Sequence, residues 1–95
     1  MKSVTEAVAL VENAIRKIRP GDLVELTPDT PLIGSHRALD SMNLVELCLA
    51  LEDASFELGF NFDWTSSDAM SKSQSMFRSI STLAEEFYRQ LNSAL

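Results

Sequence analysis

Few residues in this chain are of types that do chemistry, and they gather in one stretch. Asp40 and Ser41 adjoin within "LDSMNLV" (residues 39–45), His36 stands five residues before the serine, and Cys48 seven after it. A serine nucleophile needs a base and an orienting acid. The chain has one histidine, no G-x-S-x-G elbow and no evident oxyanion hole, so serine hydrolysis is disfavoured and His36 reads as a solvated loop residue. One cysteine and one histidine fall short of the usual zinc ligand count, no internal disulfide can form, and there is no phosphate-binding glycine loop. No metal site, no catalytic residue and no enzymatic activity are expected. What remains is Ser41. Asp40 is well placed to cap a helix by accepting hydrogen bonds from the N–H at N2 or N3, which frees the hydroxyl of Ser41 at N1. A phosphate ester on that oxygen would lie by unsatisfied backbone N–H groups at the positive end of the helix dipole. The physics allows a phosphodiester there without demanding it, since Asp-Ser at a helix start occurs in proteins of every function.

The elements around this pair follow from periodicity. Val4, Ala7, Val8, Val11, Ile15 and Ile18 recur at spacings of three and four, which predicts an amphipathic helix over 4–18, stopped by Pro20 and Gly21. Arg16, Lys17 and Arg19 fall at its end, where cations suit the dipole. Residues 22–39, with Pro28, Pro31 and Gly34, read as a long loop pinned by Leu23, Val24, Leu26, Leu32 and Ile33. A second helix is expected from Met42 to about Glu57, ended by Gly59. At about 100° per residue its apolar side chains form two stripes. Leu44, Leu47, Cys48, Leu51, Ala54 and Leu58 make a core face, on which Cys48 is buried and inert. Met42, Val45, Leu49 and Phe56 gather about 100–160° away, bordered by Glu46, Asp53 and Glu57. Either neighbouring helices cover this second stripe, or it stays accessible as a docking surface. Both hold if Phe56 is buried and Met42 exposed. "FNFDW" (60–64) reads as a connector anchored by its aromatics. A short capped helix is predicted about Asp68 to Met70, a serine-rich connector over 71–79, and a last helix capped by Ser79 and running through Ile80, Leu83, Ala84, Phe87, Leu91 and Leu95.

Ninety-five residues make a single domain, 1–95, with 45% hydrophobic and 23% charged residues and no apolar run long enough to span a bilayer. Neither membrane insertion nor an export signal is expected, since Glu6 and Glu12 interrupt the first apolar segment, and a cytoplasmic monomer fits best. The net charge of −6 is localised: residues 38–71 hold seven acids and no lysine or arginine. Such a field disfavours nucleic acid and favours basic protein surfaces.

With these residues in view, "ALDSMNLVELCLALED" (38–53) resembles the attachment motif and second helix of the acyl carrier protein family. The Asp-Ser dipeptide alone is a weak signal. Its specificity comes from the combination with helix order, domain size, the acidic middle, "DTPL" (29–32) in the loop, "SISTLAEEF" (79–87) in the last helix, and the Val45, Glu46, Leu49 pattern. The resemblance implies an all-α four-helix bundle of acyl-carrier type, three longer helices plus one short, with a long loop between helices 1 and 2. It implies that a phosphopantetheinyl transferase, using coenzyme A and magnesium, attaches 4′-phosphopantetheine to Ser41, with Asp40 assisting recognition and Mg²⁺ placement. Met42, Val45, Glu46, Leu49 and Asp53 match the family's partner-facing positions. The cargo would be an acyl group held as a thioester and presented to loading and transfer enzymes of fatty-acid, lipid or polyketide-type biosynthesis. "LDSM" also resembles D-alanyl carriers, so an aminoacyl or peptidyl cargo is an alternative; an unmodified helical interaction module is another. The chain departs from the family at "RAL" (37–39), where a glycine often precedes the aspartate, at Asn43 in place of an acid, and in its longer, more aromatic segment from 56 to 79, which suits a specialised stand-alone carrier.

Overall fold

Helical periodicity in the sequence becomes helix wherever a cap and a core-facing stripe coincide. The computed structural model describes residues 3–19, 26–33 and 39–94. Among them every regular element is a helix: α1 (Val4–Ile18), α2 (Ser41–Glu57), α3 (Ser67–Ser71), α4 (Ser73–Met76) and α5 (Ile80–Ala94). The Ser3 side chain caps α1 by accepting from the Glu6 N–H, and Ala7, Val11 and Ile15 bury the stripe that the spacing predicts. Arg16 and Lys17 occupy its last turn. This helix packs against both α2 and α5.

The second helix stops as Gly59 requires. Gly59 takes φ +91°, its N–H donates to the Phe56 carbonyl at 3.1 Å, and the Phe60 N–H donates to the Ser55 carbonyl at 3.0 Å. This pair of bonds is a Schellman turn, and its left-handed residue favours glycine. The chain then reverses into the aromatic connector, where Phe60 and Phe62 are buried against Phe87, with ring centroids 5.1 and 5.2 Å apart. These rings are core anchors, as expected of them.

The structure decides one open alternative and departs from one expectation. Phe56, which one of the readings of the second stripe placed in the core, is 62% exposed, so the stripe is open along with Met42. Ser55 holds the inward position beside it, and the next residue along a helix is turned by about 100°. Ser55 is fully buried because its hydroxyl donates to the Glu52 carbonyl at 2.6 Å and accepts from the Phe62 N–H at 2.9 Å. The stretch 71–79 is not a plain connector, since α4 forms within it and Met76 and Phe77 are buried. The bundle therefore has two short helices rather than one. The start of α5 is tied to the loop, the Ile80 and Ser81 N–H groups donating to the carbonyls of Thr30 and Pro28 at 3.0 and 2.8 Å. Ser79 adds its hydroxyl, accepting from the Thr82 N–H at 3.2 Å. Of the expected loop anchors, Leu32 is buried and Leu26 and Ile33 are half-buried. Leu23, Val24, Pro20, Gly21, Gly34 and Leu95 lie outside the described residues.

Candidate functional site

The start of α2 divides labour between two adjacent side chains. Asp40 stands at the N-cap in an extended conformation (φ −79°, ψ 177°), and its Oδ1 accepts from the Asn43 N–H at 2.8 Å. Its carbonyl accepts the first helical bond, from the Leu44 N–H at 2.9 Å. Leu39 is buried and Leu44 is packed against the same core, the two positions of a hydrophobic staple that fixes the angle at which the chain joins the helix. Ser41 at N1 is exposed. The N–H groups of Ser41 and Met42 precede the first possible intrahelical bond and have no helical acceptor. An exposed hydroxyl thus stands beside backbone donors suited to an anionic oxygen. Asp40→Ala is expected to lower stability by about 1 kcal/mol through loss of the cap, and Asp40→Asn to leave it nearly unchanged, read by urea denaturation.

The second apolar stripe of α2 is open. Met42 is 74% exposed, Val45 46% and Leu49 47%, and these form an apolar ridge that Phe56 extends on the same side of the helix two turns further on; Glu46, Asp53 and Glu57 beside it are exposed carboxylates. The other face behaves as a core: Leu47, Cys48 and Leu51 are buried. Burial, with Glu52 adding to it, pushes the Cys48 thiol up to about 12, so it is protonated at neutral pH and a poor nucleophile.

Between these faces lies a cavity of about 300 Å³ lined by Ile33, Leu44, Val45, Cys48, Trp64, Met70, Ser73, Gln74 and Phe77. That is the lower end of the range of small-molecule sites. Ser41, Leu44, Val45 and Cys48 are spaced i, i+3, i+4 and i+7, so the cavity wall continues the helix face that Ser41 begins. Trp64 reaches it from a rigid mount. The Gln90 side chain clasps the Asp63 backbone, accepting from its N–H at 2.7 Å and donating to its carbonyl at 2.9 Å. The Asp63 carboxylate accepts from the Ser66 hydroxyl and from the Ser66 and Thr65 N–H groups. Those bonds, the Ser66 hydroxyl foremost, hold its carboxyl below the usual aspartate range. Trp64 Nε1 is buried without a hydrogen-bond partner among the described residues. A buried donor left unpaired costs about 1–3 kcal/mol.

Of the residues singled out in the sequence, Asp40, Ser41, Met42, Val45, Glu46, Leu49 and Asp53 all lie on α2 or at its cap, with side chains exposed. His36 and Arg37 lie outside the described residues. Among the described residues no cluster of three metal-ligating side chains occurs, and no helix is long and apolar enough to cross a membrane. Sequence reasoning did not foresee the cavity, whose wall is drawn from three segments; Trp64, read from the sequence as an anchor of the aromatic connector, is one of its lining residues. Compared with family models, curated proteins and solved structures, the chain matches none.

Proposed function

We propose that this chain is a carrier protein with a bundle of acyl-carrier type, bearing 4′-phosphopantetheine on Ser41. One observation carries the reading: Asp40 does the capping, through its 2.8 Å bond to Asn43, so that the exposed Ser41 hydroxyl is left free at a helix start. The residues fit the group. Ser41 supplies the nucleophilic oxygen, and the N–H groups of Ser41 and Met42 suit a phosphodiester. In the transfer, Ser41 Oγ forms a bond to the pantetheine-side phosphorus of coenzyme A, the pyrophosphate bond breaks to release adenosine 3′,5′-bisphosphate, and the hydroxyl proton passes to a base on the transferase. Once held on Ser41, the arm would supply a thiol able to carry an acyl group as a thioester. The chain itself performs no bond chemistry on the cargo; it presents the cargo at high local concentration to each enzyme it docks.

Docking falls to the exposed ridge. Met42, Val45 and Leu49 supply apolar contact, while Glu46 and Asp53 meet basic partner surfaces and hasten encounter. Incubation of the full chain with coenzyme A, Mg²⁺ and a broad-specificity phosphopantetheinyl transferase should add the mass of one arm, read on the intact protein. No gain with several transferases would overturn the carrier reading and leave the ridge as an interaction face alone. The double change Glu46→Lys and Asp53→Lys should slow loading by a partner enzyme about tenfold and flatten its dependence on salt. Helicity should hardly change, because exposed substitutions alter stability by only about 0.5 kcal/mol. An unchanged loading rate would remove these carboxylates from the docking face.

A further inference from the structure

The exposed apolar side chains of α2 keep a heptad register. Met42, Leu49 and Phe56 stand seven residues apart and Val45 lies three after Met42, so with Met42 at position a they read a, d, a and a. A straight helix drifts by only about 20° per heptad, so this stripe stays on one side of α2 for about 21 Å. Glu46 and Asp53 occupy the two e positions and are exposed. Glu52, half-buried, takes the second d position, a place for a cation of a partner rather than a leucine. Ser41 precedes Met42 at a g position, on the border opposite the e carboxylates. Phe56 is the member of this set that folding leaves unexplained. It is 62% exposed while Ser55 beside it is fully buried, and the ring cluster of Phe60, Phe62 and Phe87 does not include it. The family resemblance assigns it no role either. An open seam of a and d residues with charges along one border is what one helix presents to another.

We propose that α2 docks an α-helix of a basic partner protein along this two-heptad seam, with Phe56 as the far anchor. The inference rests on the carrier reading for what that helix belongs to, an enzyme acting at the end of the arm, and on α2 alone for the fit. The partner helix carries apolar residues at a period of about 3.5, with Lys or Arg on the border that faces Glu46 and Asp53. Charge selects this occupant over a second copy, which would bring the same carboxylates and a net charge of −6 against the first. Phe56 supplies what the shorter ridge lacks. Met42 to Leu49 spans about 10 Å, and Phe56 doubles that length with a large aromatic, the kind of side chain that dominates interface energetics. A helix held at both ends is fixed in direction and register. Because Ser41 lies on the border away from the carboxylates, the docked helix runs beside the arm and leaves its oxygen uncovered.

The test uses the full, unmodified chain labelled with ¹⁵N and a synthetic three-heptad peptide with leucine at a and d and lysine at e and g. One control peptide has the same composition in an order that destroys the period, and another keeps the period with glutamate in place of lysine. The heptad peptide should shift the amide resonances of Met42, Val45, Leu49 and Phe56 together and gain helix by circular dichroism. Both controls should bind more weakly by about tenfold or more. Phe56→Ala should weaken the heptad peptide about tenfold, and Phe56→Leu, which keeps an apolar anchor, by about threefold or less. Equal binding of the shuffled peptide, an affinity that Phe56→Ala leaves unchanged, or shifts centred away from the seam overturns this inference. So does dimerisation of the chain through these residues in sedimentation, which would seat a second copy there. The carrier reading is judged separately, by the gain in mass on Ser41. Peptide binding by a chain that no transferase modifies would overturn that reading and leave the seam as a helix-binding face for another basic partner.

Discussion

Ser41→Ala is expected to abolish the gain in mass completely while leaving the fold untouched. The two effects separate because Ser41 contributes nothing to α2 that alanine lacks. The cap is Asp40, the staple is Leu39 and Leu44, and the Ser41 side chain is exposed. Alanine is the strongest helix former, so the helix start should be as stable or slightly more so, within about 0.5 kcal/mol. Intact mass after incubation with transferase and coenzyme A reads the first effect, and far-UV circular dichroism with thermal melting reads the second. Mass gain surviving in Ser41→Ala would place the arm on another serine. The chain offers a near counterpart, since Ser67 is the first residue of α3 and follows the N-cap Ser66. The resemblance stops there. A helix of five residues has little dipole, and α3 has no exposed apolar ridge comparable to that of α2 to present to a partner enzyme. Asp40→Ala provides the opposite signature, with stability lost and the nucleophilic oxygen retained.

What the sequence disclosed depended on how local each feature is. The bounds of α1 followed from apolar spacing and the Pro20-Gly21 stop in the sequence, because one face of that helix meets the core and the rest meets water. The Asp40 cap was equally legible, being a bond between residues three apart. The two stripes of α2 were visible too, but not the fate of the second one, since whether Met42, Val45 and Leu49 are covered depends on where α1, α3 and α5 come to rest. Ser55 shows the same limit from the other side. By projection it lies on the core face, yet a hydroxyl there reads as misplaced until the Phe62 N–H, seven residues on, is brought to it. The α4 turn escaped notice because four residues are too few to show a period, and its serines hide the two anchors, Met76 and Phe77. The cavity is the least local feature of all. Its wall combines the loop at Ile33, the face of α2, and the segment from Trp64 to Phe77, and no pattern in any one of them announces it.

Phe87→Ala should be the most destabilising single change in the core, and Phe56→Ala close to neutral, although both residues are phenylalanines on long helices. Phe87 is fully buried on α5 and meets Phe60 edge to face and Phe62 at a tilt, so its ring ties the connector to the helix that packs on α1. Removing it takes away the transfer free energy of the ring, leaves a void between two aromatics and forfeits both ring contacts, about 3–5 kcal/mol in all. A domain of this length has about 5–14 kcal/mol in total, so the loss would lower the melting temperature by about 15–30 °C. Phe56 is mostly in water already and should change stability by about 0.5 kcal/mol or less. Urea and thermal unfolding followed by circular dichroism compare the two. Trp64 fluorescence adds a local reading, because the connector that Phe87 holds down is the one that carries Trp64 to the cavity wall. Loosening it should shift the emission of the folded state toward that of exposed tryptophan. If Phe56→Ala proved the more damaging of the two, the ridge on α2 would have to be buried in solution, and the accessible docking face with it.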